Sequence, residues 1–318
     1  MRVWRVRQVR RHLAPAVVAM ATVLALAATS VSCSDAGSAG DAGPSSVPRV
    51  PGPTIEIRGL DFAQSATIAE VYGQYLAANG YTVEILAAGG TRAEAVASLR
   101  TGAVDLVVDS VGRLATTLAA DVRLTAEPDQ VITVLKPLLA GVGATVLDYA
   151  SAADGDAFVV RGDSPARTIS NVKNLDYVLG ASAECEAGRK CYIGLTDPDV
   201  YGITFRAFRR LEVGPRLGPA LAARQVDAVV WTTTAPQISQ SGFKILEDDK
   251  RLFPAQNIAP VVATAIATAY GDRLADDLNR LSEAITTDDL TAWNVETELD
   301  HRPSPEVARE WLEKKGLA

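Results

Sequence analysis

Strands alternate with helices along most of this sequence, and this alternation constrains the fold more than any other feature. Residues 55–57 have the apolar and polar alternation of a short strand, and residues 65–79 repeat apolar side chains at helical spacing. Strand patterns return at 81–86 and 105–108, with a second helical pattern between them. Because parallel strands need crossover helices, this βαβαβ order predicts a parallel sheet with helices on its faces.

Local signals predict where the first two helices begin and end. The first helix stops at Gly80, a residue type suited to a helix C-terminus. The second begins with the capping-box pair Thr91 and Glu94 and ends at Gly102. The expected buried faces are Ile68, Val71, Tyr72, Tyr75 and Leu76 for the first helix, and Ala93, Val96 and Ala97 for the second.

A second series of strand and helix patterns follows. Four further strands are predicted at residues 158–160, 177–180, 203–205 and 226–231. Near the end of the chain, Asp272 is expected to cap one helix, and Ser304 to open a last helix that Gly316 ends. The chain therefore contains two similar α/β halves.

The first 33 residues have the pattern of a secretory signal that ends at a cysteine. Five arginines and no acid precede an apolar segment at 13–28, and small residues lead to Cys33. This ending is similar to the lipobox of bacterial lipoproteins, in which the cysteine is acylated, although Ser30 stands where Leu or Val is usual. A plain transmembrane anchor is the alternative, but about sixteen apolar residues fall short of the roughly 20 that span a bilayer. We therefore expect a signal peptide at 1–32 and a lipid on Cys33.

The residues after Cys33 have the composition of a tether. Almost all of 34–53 is Ser, Gly, Ala, Asp and Pro, which bury too little apolar surface to offset the entropy of ordering. We expect a flexible segment over 33–53 and a folded body from Thr54 onwards. The lipid would then hold that body at the outer face of the cytoplasmic membrane.

The charge of the chain argues against a nucleic-acid partner. The whole sequence has 31 basic and 38 acidic residues, and loss of the five signal arginines leaves 26 against 38, a net charge of about −12. Nucleic-acid binding calls for a basic face.

Two cysteines remain in the exported chain if Cys33 carries lipid. Cys185 and Cys191 enclose five residues, including Gly188, and an exported setting favours a disulfide between them over two free thiols. A zinc pair is disfavoured because the mature chain has one histidine, His301. We expect no metal and no cofactor.

Catalytic motifs are missing from the sequence. It has no G-x-S-x-G, no P-loop and no H-E-x-x-H, and a single mature histidine leaves little room for nucleophile and base pairs. The carboxylate pairs at 276–277 and 288–289 fall at helix starts or on exposed faces. These observations predict a protein that is not an enzyme.

The segment 242–262 carries a specific resemblance. It contains Leu-Glu-Asp-Asp-Lys at 246–250, Phe-Pro at 253–254 and Asn-Ile-Ala-Pro-Val-Val at 257–262. This wording resembles the substrate-binding proteins of ABC importers for glycine betaine, choline and carnitine, where V-V-L-E-D-D-K-x-x-F-P-P-Y-N-x-x-P-V-V is usual. Weaker similarity extends over nearly all of 54–318.

The resemblance implies an α/β, two-lobed, type II periplasmic-binding fold in which each lobe is a mainly parallel sheet flanked by helices. Lobe one would comprise 54–156 and 248–318, and lobe two 157–247. Hinges are expected near 158–161 and 245–249. The ligand would sit between the lobes, at the C-terminal ends of the strands.

The implied function is the extracytoplasmic binding component of an ABC importer. Its partners would be a membrane permease and a small organic solute of the betaine or choline type, or a divergent ligand, and we expect it to act as a monomer. A lipoprotein that senses a ligand or binds a partner without transport is the alternative reading.

The sequence departs from this family at the residues that hold its ligands. The family surrounds a trimethylammonium group with aromatic rings, each worth about 0.5–2 kcal/mol. Two of the ring positions fall on Ser110 and Thr232 here, and a usual Asp and Arg become Ala235 and Gln237. We therefore expect weak or absent binding of glycine betaine.

Eleven residues are candidates for ligand contact because they fall at the expected cleft, and four of them, Asp61, Phe62, Ser110 and Thr233, also match motif positions of ligand contacts in the family. Each has an ordinary alternative: Asp and Thr cap helices and turns, Phe and Tyr fill cores, and an arginine can form a surface ion pair. The candidates are Asp61, Phe62, Ser65, Ser110, Arg113, Asp154, Asp156, Glu184, Tyr192, Thr232 and Thr233.

Overall fold

Two five-stranded sheets covered by helices form the body of the protein in this computed structural model, which describes residues 47–212, 214 and 216–318. The predicted signal peptide, the lipidated Cys33 and most of the predicted tether lie outside the described residues.

The sheets are built from ten strands. The first sheet has the order β2-β1-β3-β10-β4 and the second β7-β6-β8-β5-β9. The strands are β1 (Ile55–Arg58), β2 (Val83–Leu86), β3 (Leu106–Ser110), β4 (Ala144–Val146), β5 (Asp156–Arg161), β6 (Val178–Ala181), β7 (Ala207–Arg210), β8 (Ala228–Thr232), β9 (Phe243–Ile245) and β10 (Ile258–Ala263).

Twelve α-helices are present in the described residues, with a 3₁₀ helix at Ile169–Asn174 and a π-helix at Val295–Leu299. The α-helices are α1 (Ala63–Ala78), α2 (Arg92–Thr101), α3 (Val111–Leu118), α4 (Pro128–Ala140), α5 (Ala183–Ala187), α6 (Tyr192–Thr196), α7 (Leu217–Ala222), α8 (Pro236–Gln240), α9 (Thr264–Tyr270), α10 (Asp272–Ala284), α11 (Thr287–Asn294) and α12 (Ser304–Lys315).

One strand in each sheet runs against the other four. β10 is antiparallel to both β3 and β4, and β5 is antiparallel to both β8 and β9, whereas the remaining pairings are parallel. The reversed strand is the first one that the chain forms after crossing from the other sheet. The expected pair of mainly parallel sheets flanked by helices is confirmed.

Each sheet is buried on both faces, which accounts for its sequence pattern. Two hydrophobic clusters lie on the first sheet and two on the second. All residues of β3 and β10 are buried, so these strands are nearly continuous apolar runs and do not alternate.

The first helices follow the sequence expectations in most respects. All five predicted face residues of α1 are buried, and α2 has the capping box from Thr91 to Glu94 and a left-handed Gly102 at its end. The expected face of α2 is wrong, because it buries Ala95 and Leu99 and leaves Ala93 exposed. Alanines spread around a short helix do not define a single apolar stripe.

The strand expected at residues 203–205 is also wrong. The strand in this region is β7, which begins at Ala207 and is an exposed edge strand. Ile203 is instead a loop residue buried in the second lobe. An exposed edge strand has few apolar residues, so the sequence pattern pointed to the nearby apolar loop and not to β7.

The packed body includes residues that the sequence analysis assigned to the tether. Val50 is buried and its backbone N–H donates to Gly80 O at 2.8 Å. The Tyr270 hydroxyl donates to Pro53 O. Packing against the body therefore begins before Thr54.

The chain passes between the sheets at residues 147–155 and again at 246–257. An antiparallel bridge between Ala153 and Asn257 joins the two crossing segments. A hinge was expected near residues 158–161, but these residues belong to β5. That strand begins at Asp156, before its apolar run.

Asp248 holds the second crossing in place. Its carboxylate accepts hydrogen bonds from the backbone N–H groups of Leu252 and Phe253, at 2.9 and 2.8 Å, and from the Tyr201 hydroxyl at 2.5 Å. Burial, together with the bond to Asp248, raises the pKa of Tyr201, which keeps this hydroxyl a neutral donor. The carboxylate thus ties the crossing to the second lobe.

Asp248→Ala should lower the free energy of unfolding by about 2–4 kcal/mol, because it leaves a buried hydroxyl and two N–H groups without their acceptor. Urea unfolding measures this change. Asp249→Ala is the matched control, since that exposed carboxylate accepts from Ser170 N at 3.1 Å and should cost about 0.5–1.5 kcal/mol. Equal losses in the two variants would show that Asp248 has no special role.

Candidate ligand-binding cleft

A cavity of about 1150 Å³ lies between the two sheets and is lined from both lobes. The first lobe contributes side chains that follow β1, β2 and β3, and the second contributes residues that follow β6 and the last three residues of β8. The cavity therefore lies at the C-terminal ends of the strands, where open α/β sheets bind ligands.

Six of the eleven candidate ligand residues line this cavity. They are Phe62, Arg113, Asp154, Asp156, Glu184 and Thr232. Phe62 is 47 % exposed, unusually high for a large apolar side chain, and precedes the first residue of α1.

The other five candidates do not line the cavity, and the contacts of three explain why. The Ser65 hydroxyl accepts from Leu60 N at 2.8 Å, which closes the loop before α1. Tyr192 packs against the rings of Phe205 and Phe208 in the second lobe. Thr233 donates to Ala153 O at 3.1 Å and accepts from Gly155 N at 3.0 Å, so it holds the first crossing. The remaining two candidates are Asp61, which is exposed, and Ser110, which is buried.

Arg113 is the central charge of the cleft floor. Its Nη1 donates to the Asp154 carboxylate at 2.9 Å and to Asp154 O at 2.8 Å, and its Nη2 donates to Asp156 Oδ1 at 3.2 Å. Arg113 belongs to α3 of the first lobe, Asp154 to the first crossing, and Asp156 to the first residue of β5 in the second lobe. One guanidinium therefore joins both lobes and the crossing between them.

A close backbone approach sets the position of Arg113. Its N–H donates to Gln256 Oε1 at 2.9 Å, and a Cβ at Gly112 would lie 2.6 Å from Ala255 O and 2.8 Å from that same Oε1. Glycine is therefore required beside Arg113, because any side chain at Gly112 would displace the second crossing segment.

The acids outnumber the base in this cluster, and the pKa directions follow from that. Burial by itself would lower the pKa of Arg113, but the attraction of Asp154 and Asp156 outweighs it, and the pKa is raised. Burial raises the pKa of Asp156 despite Arg113, which is shared with Asp154. Burial and the charge of Asp154 also raise the pKa of Glu298.

A buried polar network lies behind Asp154. Thr234 donates to Asp154 Oδ1 at 2.6 Å, and Asn294 donates to Thr234 O at 3.0 Å and to Gln64 Oε1 at 3.2 Å. These side chains come from α1, the second lobe and α11. The network fixes the Asp154 carboxylate, so that both of its oxygens are already hydrogen-bonded.

Sequence reasoning missed several cations around the cavity. Arg92 pairs with the buried Asp109 through two hydrogen bonds, one of them Nη2 to Oδ1 at 2.9 Å. Arg123, Arg189 and Lys190 also line the cavity. Arg92 could have been found because it directly follows the turn after β2, whereas the other three lie on loops that carry no motif.

Aromatic side chains are few in the cleft. Within the described residues, the cavity lining includes two aromatic rings, Phe62 and Trp231, and Trp231 is only 4 % exposed. Thr232, at an expected ring position, lines the cavity without a ring. The cleft is therefore mainly polar and charged.

A comparison with known protein families shows which family this chain belongs to. Residues 53–314 match the family described as the substrate binding domain of ABC-type glycine betaine transport systems. The chain belongs to this family. That membership confirms the sequence resemblance, and it agrees with the expectation that the protein binds a solute and catalyses no reaction.

Individual members of this glycine betaine transport family are distantly similar. A carnitine transport binding protein, OpuCC, from Listeria monocytogenes serotype 1/2a (strain 10403S) is 24 % identical over 164 residues, which is 49 % of this chain and 52 % of that protein. The chain thus spans about half the length of the curated relatives it matches.

Solved structures of the family share the fold. A glycine betaine/carnitine/choline ABC transporter structure superposes with a TM-score of 0.74 at 20 % identity, covering 83 % of this chain and 99 % of that one. Lactococcal OpuAC, in its closed conformation with glycine betaine, gives 0.55 at 14 % identity, covering 83 % and 96 %. Both confirm the two-lobed periplasmic-binding fold.

In the part of the chain that the structure describes, no helix combines the length and apolar character needed to cross a membrane.

A cysteine-bounded loop forms one wall of the cleft. The sulfur atoms of Cys185 and Cys191 are bonded and their Cα atoms lie 5.1 Å apart, inside the range of about 4.4–6.8 Å usual for disulfides. Both cysteines line the cavity, together with Arg189 and Lys190 between them. A bridge would hold these two cations at the mouth of the cleft.

We predict that thiol labelling of the unreduced, unfolded mature chain finds Cys185 and Cys191 blocked. Reduction should expose both and lower the free energy of unfolding by about 2–3 kcal/mol, because a short closed loop restricts the unfolded chain. Two labelled cysteines before reduction would contradict the bridge.

Asp156→Asn should leave the protein at least as stable as the wild type at pH 7. The pKa of Asp156 is raised in the folded state, so its ionised form opposes folding above that pKa, and the penalty is relieved as the pH falls through it. The difference between variant and wild type should therefore shrink at acid pH, which thermal unfolding from pH 7 to pH 4 measures. A variant clearly less stable than wild type at pH 7 would mean that the bond to Arg113 outweighs the burial.

Proposed function

We propose that this chain is the extracytoplasmic substrate-binding component of an ABC importer and closes its two lobes on a small organic solute. The observation that carries the proposal is the cavity of about 1150 Å³ between lobes joined by two crossings, in a chain of the glycine betaine transport family. Ligand pockets are concave and bring together a few polar groups.

The two crossings supply the hinge for this function. Segments 147–155 and 246–257 run side by side through the Ala153 to Asn257 bridge, so the lobes can rotate about one paired strip of backbone. Closure would bring the disulfide-bounded loop of lobe two towards Phe62 and Arg92 of lobe one. A membrane permease would then receive the closed form.

Anchoring follows from the N-terminal sequence. A lipid on Cys33 and the short tether after it would keep the monomeric body beside its permease on the outer face of the membrane. Holding the two partners on one surface raises the effective concentration of each for the other.

Cys33→Ala should release the protein from the membrane fraction or leave its signal peptide uncleaved, because the acylated cysteine is the proposed anchor. Fractionation of cells followed by mass spectrometry of the N-terminus measures both outcomes. Ser46→Ala is the control, since it changes a residue of the predicted tether away from the proposed anchor and should not alter partitioning. Unchanged processing and partitioning of Cys33→Ala would refute the anchor.

The ligand of this importer is a separate question from its fold. The family relatives carry names that refer to glycine betaine, carnitine and choline. In this chain, Ser110 is buried and Thr232 lines the cavity without a ring. We propose that the cleft has moved away from quaternary amines towards another small solute.

A thermal-shift panel on the purified full-length chain tests this function. Betaines, choline, carnitine, polyamines, amino acids, sugars and phenolic compounds are the probes, and a true ligand at a hundredfold excess over its dissociation constant should stabilise the fold by about 2.7 kcal/mol.

Glycine betaine should bind about five-fold to a thousandfold more weakly than to a site with a full ring cage, because two ring contacts are missing. Titration calorimetry measures its affinity directly. Micromolar or tighter binding would show that other residues have rebuilt the cage, and a panel without any ligand would count against the binding function itself.

A further inference from the structure

We infer that the cleft holds a zwitterion whose cationic end is an ammonium group with N–H donors, bound at Asp156, and whose acidic end meets Arg123, Arg189 and Lys190. The inference rests on the proposed function and narrows its ligand class. It differs from glycine betaine, carnitine and choline, which are named for several relatives and whose quaternary nitrogen has no N–H to donate.

The cleft floor has an unmet demand for positive charge. Asp154 and Asp156 share one base, Arg113, which forms ion pairs with both, and the charge of Asp154 also contributes to the raised pKa of Glu298. Asp154 has both oxygens engaged, but Asp156 accepts through Oδ1 only, and its Oδ2 has no hydrogen-bond donor among the described residues. Asp156 also lines the cavity and its side chain is 36 % exposed, so its free oxygen is accessible to a ligand.

A carboxylate selects a different cation from a ring cage. A quaternary ammonium spreads its charge over methyl groups and gains most from aromatic faces. A primary or secondary ammonium can donate charge-assisted hydrogen bonds to a carboxylate oxygen, which are stronger than neutral ones. With Phe62 and Trp231 as the aromatic lining and Asp156 on the floor, the described residues of this cleft suit the second kind of cation.

Three cations in the cavity lining have no ion-pair partner among the described residues. Arg123 follows α3 in the first lobe, and Arg189 and Lys190 lie in the disulfide-bounded loop of the second. All three line the cavity, and none forms an ion pair or a side-chain hydrogen bond with another residue of the described ranges. Because Arg123 belongs to the first lobe and Arg189 and Lys190 belong to the second, an acidic group bound between them would draw the lobes together.

Pairs of probes that differ only in N-methylation test this assignment. Three pairs cover different lengths: glycine with glycine betaine, 4-aminobutanoate with 4-trimethylammoniobutanoate, and 4-amino-3-hydroxybutanoate with carnitine. We expect the unmethylated member of the best-binding pair to bind about 10- to 100-fold more tightly, the factor that one charge-assisted hydrogen bond supplies. Titration calorimetry on the full-length protein gives each affinity.

Two variants locate the ends of the ligand. Asp156→Asn should reduce the preference for the unmethylated member by about tenfold or more, while Asp199→Asn, an exposed aspartate outside the cavity, should leave it unchanged. Lys190→Gln should weaken 4-aminobutanoate but not ethanolamine, which has no acid group. Lys136→Gln, an exposed lysine on α4, is the control for the loss of one positive charge.

The outcomes separate the inference from the proposed function. Tighter binding of the trimethylated member in every pair would overturn the inference and leave the importer function standing. An unchanged preference in Asp156→Asn, in a variant that melts like the wild type, would overturn the placement of the ammonium. If no member of any pair binds, the inference fails, and a panel in which no other solute binds either would remove the proposed function with it.

Discussion

The contacts of Arg113 are the interaction on which the arrangement of the two lobes depends. Its guanidinium reaches the crossing at Asp154 and the start of β5 at Asp156, while its backbone N–H is held by Gln256 of the return crossing. A single side chain thus touches both connections between the lobes. Since the same side chain lines the cavity, the position of the lobes and the charge of the cleft floor are set by one group.

This chain has the fold of its family, but the side chains of its cleft differ from those that the family resemblance predicted. The sheets, the reversed strand in each lobe and the match over 53–314 give the periplasmic-binding architecture. The cleft, however, contains two carboxylates, Asp154 and Asp156, that share Arg113, and Thr232 lines it without a ring. Fold similarity alone therefore does not identify a ligand, because ligand chemistry depends on a few side chains at strand ends.

The sequence predicted those features that depend on local or periodic signals. The βαβαβ order follows from apolar periodicity, and the capping box at Thr91 and the terminal Gly102 each depend on a few neighbouring residues. Arg113 and Asp156 were also predicted as candidates, Arg113 because it follows the third predicted strand and Asp156 because it precedes the first expected crossing between the lobes. Edge strand β7 was misplaced because an exposed strand has no apolar period.

The remaining features depend on distances between segments far apart in the chain. Nothing near Gln256 indicates that it bonds to Arg113 N, 143 residues away. Tyr192 was predicted as a ligand contact, but its ring packs against Phe208 in the second lobe. Whether a side chain near a strand end faces the cleft or the core depends on tertiary contacts, which a single sequence does not report.

A double-mutant cycle between Arg113 and Asp154 tests the central claim most directly. Arg113→Gln, Asp154→Asn and the double variant would be unfolded in urea and their free energies of unfolding compared with wild type. The account predicts a coupling energy of about 1–3 kcal/mol, since the two groups form a partly buried ion pair at 2.9 Å. Single-variant effects that add to within about 0.5 kcal/mol would contradict it, because Arg113 would then not be what joins the crossing to the cleft.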